Sequence, residues 1–323
     1  MNSSVERTQL LIDVATLYYE RGLTQEQVAS SLGLSRSNVS RLLTEARKRG
    51  IVEIRVRHAQ QTAPALEAQL TERFGLKGAH VMVTRTTDRA MILREVGAKA
   101  AEQLRYLLRS NAFLAMGWGR ALYETVNAFR PSPVRNVHVV QMMGGIGAFN
   151  PAIDGAELAR KLAEALGGQF HYLRAPFAVE SHAVRQALLR EVEISTVLEM
   201  VRQAELALTG IGSVRPELSG LARAGYVSED DLRAFERAGA VGDICGRYFT
   251  ARGEICELDL HQRVITVDPP SLRNIGCVMA IAAWVEKAPA ILGALRGGYI
   301  DILATDDAAA AEILRLDDAS AGH

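Results

Sequence analysis

Between residues 79 and 303 short apolar runs alternate with longer amphipathic ones, and this rhythm constrains the fold of the 323-residue chain more than any other feature. Residues 80–83 read as a strand and 89–108 as a long helix. Residues 112–116 are followed by a helix from about Arg120, and residues 137–142 by one over 156–166. Further strands are expected at 169–173, 206–209, 264–267 and 300–303. Units of this kind bury their apolar surfaces by laying strands side by side in a mainly parallel sheet with helices on both faces. The expected fold class of this region is therefore α/β, Rossmann-like in its layering. No fixed-period repeat or low-complexity stretch interrupts it.

Glycines gather where the strands end: Met116-Gly-Trp-Gly-Arg-Ala121, Gln141-Met-Met-Gly-Gly-Ile-Gly147 and Thr209-Gly-Ile-Gly-Ser213. Leu295-Arg-Gly-Gly298 instead precedes a strand. In an open α/β sheet ligands bind outside the carboxyl ends of the strands. Glycine lets backbone amides approach a ligand, and a helix N-terminus favours an anion. Three such loops point to a small ligand carrying phosphate or many hydroxyls, although each alone is also an ordinary turn. Gly117-Trp-Gly-Arg-Ala-Leu122 lacks the third glycine of the dinucleotide fingerprint and no Walker A pattern occurs, so nucleotide binding is disfavoured.

The first fifty residues follow a different pattern. Residues 6–21 carry Leu11, Ala15 and Tyr18 at helical spacing, flanked by Leu10, Val14 and Leu17, and Gly22 ends that helix. Thr24-Gln-Glu-Gln27 fits a capping box opening a second helix, with Val28, Ala29 and Leu32 inward. Gly33 suits the positive φ of a tight turn. Ser35 then caps a third helix, with Val39, Leu42, Leu43 and Ala46 inward and Gly50 at its end. Two short helices joined in this way form a helix-turn-helix. The second helix of the pair would present Arg36, Ser37, Asn38, Ser40 and Arg41 to the major groove of double-stranded DNA, where Arg reads guanine and Asn reads adenine. Thr24, Ser35, Arg47 and Lys48 complete the expected DNA-binding set. Residues 51–57 alternate with period two and read as a strand, placing Arg55 and Arg57 for phosphate contact.

The chain carries 37 basic and 37 acidic residues, which rules out coating nucleic acid by bulk charge. The distribution is uneven. Residues 33–57 hold seven basic residues against two acidic, whereas residues 58–323 hold 28 against 31. A solvated basic helix is the plain alternative to a DNA-reading one. The coincidence of capping box, glycine turn, core spacing and polar helix start favours the latter.

With 48% apolar residues the chain can bury a sizeable core. Three cysteines without CxxC spacing give neither a disulfide framework nor a zinc site. No signal-peptide pattern opens the sequence, and no run reaches the roughly 20 apolar residues needed to cross a bilayer. The expectation is a cytoplasmic protein with no metal, no cofactor and no membrane partner. The polar, proline-containing stretch 58–64 suggests a boundary between a DNA-binding domain at 1–57 and a linker helix plus ligand-binding and oligomerisation domain at 58–323.

Several ordered motifs together resemble the SorC-type transcriptional regulators, a family often grouped with the DeoR repressor. They are Gly22-Leu-Thr-Gln-Glu-Gln-Val-Ala29 with Leu32-Gly-Leu-Ser-Arg-Ser-Asn-Val-Ser-Arg-Leu-Leu43, Gly117-Trp-Gly-Arg120, Gln141-Met-Met-Gly-Gly145, Val241-Gly-Asp-Ile-Cys-Gly-Arg-Tyr-Phe249 and residues 287–301. The resemblance implies a helix-turn-helix followed by a sugar-binding domain whose fold is similar to ribose-5-phosphate isomerase and glucosamine-6-phosphate deaminase. It further implies operator DNA as partner, a sugar, sugar phosphate or polyol as effector, and homodimers or homotetramers. The family's first loop commonly carries a hydroxyl residue where this chain has Ala121, so phosphate would be held by backbone amides and Arg120 instead.

On that resemblance the effector residues are Gly117, Trp118, Gly119 and Arg120 as the front lip; Gln141, Gly144, Gly145 and Gly147 as a second wall; and Gly210, Gly212 and Ser213 as a third. Asp243 reads either as a turn cap or as an acceptor for sugar hydroxyls. Lys287 reads either as a solvated helix position or as a cation near the phosphate. Arg296, beside Gly297 and Gly298, is the second candidate cation. His138, His171 and His182 lack metal-ligand spacing. No catalytic residue is assigned: Asp243 is the only candidate acid and it has no second partner. The competing function is an isomerase-like enzyme with a fused DNA-binding domain.

Overall fold

The computed structural model describes residues 2–52, 61–130, 132–147 and 151–321. The chain divides into two compact units, Met1–Ala59 and Gln60–His323.

In the first unit α1 (Asn2–Ala15) passes into a π-helical turn at Thr16–Glu20, followed by α2 (Gln25–Leu32) and α3 (Arg36–Lys48). Leu11 and Val14 of α1, Val28 and Ala29 of α2, and Val39, Leu42, Leu43 and Ala46 of α3 form its core. The inward faces read from the 3.6-residue period are the buried ones. Glycines at positive φ punctuate the unit: Gly22 at 68° after the π turn, Gly33 at 65° between α2 and α3, and Gly50 at 72° after α3. The strand expected at 51–57 falls almost wholly outside the described residues.

The second unit opens with α4 (Pro64–Phe74). Its strands are β1 (Gly78–Met82), β2 (Phe113–Met116), β3 (His138–Gln141), β4 (Gln169–His171), β5 (Leu206–Gly210), β6 (Ala240–Ile244), β7 (Arg247–Thr250), β8 (Val278–Ile281) and β9 (Ile302–Asp306). Its further helices are α5 (Arg89–Leu107), α6 (Arg120–Ala128), α7 (Gly155–Ala165), α8 (His182–Arg190), α9 (Val192–Arg202), α10 (Gly220–Arg223), α11 (Glu229–Arg237), α12 (Pro269–Leu272), α13 (Ala288–Arg296) and α14 (Asp307–Ala321). Among the described residues seven strands form one sheet in the order β1-β9-β8-β5-β2-β3-β4, all neighbours parallel. Successive side chains go to opposite faces. Leu114 and Met116 join a layer with α5, α6 and α7, while Ala115 joins the larger core with α13 and α14. The chain runs outward from β2 to β3 and β4, then returns to place β5 on the other side of β2. That reversal is where a sheet of this class opens a crevice at its strand ends.

Three differences from the sequence reading have physical causes. Residues 264–267 form no strand: Val264 and Thr266 make isolated bridges to Ala178 and Met143, which lie in loops, so no ladder propagates. β8 lies where only an apolar run is legible, because all four of its residues are buried and no alternation marks it. The antiparallel hairpin β6–β7 turns through Cys245 and Gly246, at φ 52° and 76°. That geometry fits a two-residue type I′ turn, but Cys-Gly is not one of its usual signatures.

Candidate DNA-reading surface and effector cavity

The reading head is built from its caps upward. Thr24 Oγ accepts from the Gln27 amide at 3.3 Å while Gln27 Oε1 accepts from the Thr24 amide at 2.9 Å, closing the capping box. Ser35 Oγ accepts from the Asn38 amide at 3.2 Å and lies 3.1 Å from Ser37 Oγ. These bonds fix where α3 begins. With Val39, Leu42, Leu43 and Ala46 locked inward, α3 leaves Arg36, Ser37, Ser40, Arg41, Arg47 and Lys48 exposed, with Asn38 half-buried at its start.

The charges on this helix are not equivalent. Glu45 pairs with both Arg7 and Arg49 at 2.6 Å, and the Arg7 hydrogen bond lowers its carboxyl below the usual range. Arg36 lies 3.8 Å from Glu26 with both side chains largely exposed. Arg41 and Lys48 have no ion pair among the described residues, so both stay available to phosphate. Arg55 and Arg57 lie outside the described residues.

In the second unit a cavity opens at the carboxyl ends of β2, β5 and β8. The β2–α6 loop supplies Trp118 and Gly119, the start of α6 Arg120 and Ala121, and the end of β5 with the residues after it Thr209, Gly210, Ile211 and Gly212. The segment after β8 adds Trp284 and Lys287, the β6–β7 hairpin adds Asp243 and Cys245, and Arg223 enters from α10. Gly119 holds φ at 109° and caps α6 without a side-chain bond, leaving the first amides of that helix free for a ligand.

Asp243 is 7% exposed, and its Oδ2 accepts from the Gly246 amide at 2.9 Å. Burial pushes its pKa up to about 6, against the pull of that amide and of Lys287. A Cβ at Gly212 would lie 1.7 Å from Asp243 Oδ1, so only glycine allows the carboxylate its place. Lys287 Nζ donates to the Ile211 carbonyl at 2.5 Å. Burial lowers its pKa to about 8; Arg120 and Arg223 reinforce the shift and Asp243 opposes it. Burial likewise lowers Arg120 and Arg223, and each guanidinium feels a neighbouring arginine. Neither arginine forms an ion pair among the described residues. Arg120 and Lys287 instead lie 5.1 and 5.6 Å from the centre of the Trp284 ring. The Cys245 thiol is pushed up to about 12 by burial, which leaves it a poor nucleophile.

Trp118, Gly119, Arg120, Gly147, Gly210, Gly212, Asp243 and Lys287 are thus brought together, with the Lys287 ammonium in the cavity and not on a solvated face. Gly117 sits behind the lip against the Leu208 carbonyl. The remaining candidates do not line the cavity. Gln141 Oε1 accepts from the Leu173 amide, and Gly144 packs on the Pro176 carbonyl. Gly145 donates its amide to the Ala175 carbonyl, and Ser213 Oγ accepts from the Arg215 amide. Arg296 is held by Asp317 and the Ala251 carbonyl, Gly297 lies against the Tyr299 ring, and Gly298 follows α13 at φ 61°. Gly297 and Gly298 stand before the amino end of β9, whereas the cavity lies at the carboxyl ends of β2, β5 and β8. Arg223 and Trp284 escape sequence reasoning, as neither stands in a glycine loop. His138 and His171 bond each other at 3.0 Å, and no group of three potential metal ligands occurs among the described residues.

Comparison with known proteins finds relatives of both units. A family model describing a sugar-binding domain matches residues 59–315, and one for sigma-70 region 4 matches residues 13–49. The deoxyribonucleoside regulator of Bacillus subtilis is 35% identical over 93% of this chain and 96% of its own length. The sorbitol operon regulator of Klebsiella pneumoniae is 30% identical over 95% of this chain and 98% of its own. The crystal structure of that full-length regulator, SorC, superposes with a TM-score of 0.73, at 29% identity over 95% of this chain and 98% of that one. The chain belongs to the SorC family of DNA-binding transcriptional regulators, which join a helix-turn-helix to a sugar-binding effector domain.

Proposed function

We propose that the effector is a phosphorylated sugar or polyol, bound without turnover, and that its occupancy sets the affinity of a cytoplasmic homodimer or homotetramer for operator DNA. One observation carries the phosphate assignment. Arg120, Arg223 and Lys287 line one cavity with no carboxylate paired to either arginine, beside the uncapped start of α6. Three cations at depressed pKa are costly in an empty site, and a dianion offsets that cost. Asp243, with one oxygen against Gly212, supplies an acceptor for a sugar hydroxyl. Binding without turnover is supported by the names of the relatives, which are regulators. No helix among the described residues is long and apolar enough to cross a membrane.

A thermal-shift panel tests the reading. It would compare ribose 5-phosphate, 2-deoxyribose 5-phosphate, fructose 6-phosphate and sorbitol 6-phosphate with their unphosphorylated parents. A ligand present at 100 times its dissociation constant stabilises by about 2.7 kcal/mol. Stabilisation by phosphorylated compounds alone is expected; equal response to the parents would refute the phosphate. Conversion of a binding sugar phosphate to its isomer would refute the absence of turnover.

A further inference from the structure

Trp284, in the cavity wall, has φ 87°, a conformation that is strained for a bulky residue. Its ring stands near Arg120, Lys287 and Arg89, and its Nε1 donates to the Arg89 carbonyl at 3.1 Å. Its backbone amide donates to Asp306 Oδ2 at 2.6 Å. Asp306 is 1% exposed, and its other oxygen accepts from Ala309 in the first turn of α14. The next residue, Asp307, faces elsewhere. Its Oδ1 accepts from both the amide and the hydroxyl of Thr84, at 3.2 and 3.0 Å. Immediately before Thr84, Val83 donates to the Gln61 carbonyl at 2.8 Å and Ala63 donates to the Val81 carbonyl at 2.9 Å. Thr62 bridges Met82, the β1 residue in register with Asp306. Residues 61–63 are where the chain enters the effector unit after the DNA-reading unit.

We propose that Asp306 and Asp307 are positioning residues that carry the state of the cavity from Trp284 to the entry segment 61–63. An anion that recruits Arg120 and Lys287 withdraws two cations from the Trp284 ring, so the side chain carried on that strained backbone has different partners in the empty and filled states. Asp306 holds that backbone, and Asp307, the next residue and the first of α14, holds Thr84 at the end of the segment that pairs with residues 61–63. The element that differs between the states is thus joined to the entry segment by a short run of hydrogen bonds, and not by proximity alone.

The inference rests on anion binding in the cavity, and the experiment separates the two. Hydrogen–deuterium exchange would be followed in the full chain with and without ribose 5-phosphate, with inorganic phosphate as a second probe and binding read by tryptophan fluorescence. In the wild type a saturating probe should change exchange at residues 61–66. In Asp307→Ala the probe should bind within about twofold of wild type, while its effect on residues 61–66 disappears. Asp307→Asn, which keeps an acceptor for Thr84, should restore part of it, and Thr84→Val should lose part of it. A purely structural Asp307 would speed exchange at 61–66 equally in both states and leave the probe-dependent difference intact. That result, or binding to wild type without any change at 61–66, overturns the proposal. Failure of both probes to bind overturns the anion reading itself, and the coupling with it.

Discussion

At Gly212 the missing side chain is what lets the Asp243 carboxylate lie against the backbone. Gly212→Ala should therefore displace Asp243 and weaken ribose 5-phosphate binding by about tenfold or more, or about 1.4 kcal/mol, by titration calorimetry. Unchanged affinity in a folded variant would remove Asp243 from the ligand's contacts. Loss of Arg120 or Arg223 should cost more, because each would make a charge-assisted bond in a low-dielectric cavity. Arg120→Gln or Arg223→Gln should lose about 1.5–3 kcal/mol of anion affinity. The pH response follows from the shifted groups. Lys287 discharges near pH 8, so anion affinity should fall as pH rises through that value, and Lys287→Met should flatten the profile. Asp243 bears on stability instead of affinity. Its folded pKa, about 6, exceeds the ordinary 3.8, so the stability it contributes is complete below 3.8 and is lost as pH rises through 6. Melting temperatures of Asp243→Asn across that window should lack this decline.

Individual elements differed in how legible they were, for reasons of burial. α2 and α3 could be read nearly to the residue, because each is amphipathic, capped by Thr24 or Ser35, and stopped by a glycine at positive φ. β8 could not, since a strand buried on both faces has no alternation to detect. Residues 264–267 have strand composition, but their partners are loop residues, a tertiary fact with no local trace. The cavity was half legible on the same logic. Loops that follow β2 and β5 carry Trp118, Arg120, Gly210 and Gly212 to it, whereas glycines at 144, 145 and 297 pack against neighbouring backbone or rings. Arg223 reaches the cavity from a four-residue helix that no periodicity reveals. The caps themselves are testable. Ser35→Ala removes the bond to the Asn38 amide and should cost about 1 kcal/mol of the stability of the DNA-reading unit, seen as a lower melting temperature. A neutral result would place the start of α3 under core control alone.

For the molecule as a whole, net charge is a poor guide to its affinity for DNA. The 37 positive and 37 negative charges cancel in total, yet residues 33–57 are strongly basic, and within α3 the bases differ in what already neutralises them. Arg49 shares Glu45 with Arg7, whereas Arg41 and Lys48 are unpaired among the described residues. Each cation that neutralises a DNA phosphate releases condensed counterions and steepens the fall of log affinity with log salt by about 0.9. Removing Lys48 by alanine substitution should therefore reduce that slope by about 1 while leaving sequence preference intact, and removing Arg41 should reduce it by a similar amount. Arg49→Ala should change it less, because its charge is already spent on Glu45. Arg36→Ala and Asn38→Ala, at the start of α3, should instead cost about 1–3 kcal/mol on the operator and relax discrimination between bases. Salt titrations of all five variants on the operator and on a scrambled duplex distinguish the two classes. Equal slope changes at Arg49 and Lys48 would mean that the Glu45 network opens on DNA, and that the charge pattern of the free protein is not the one the operator meets.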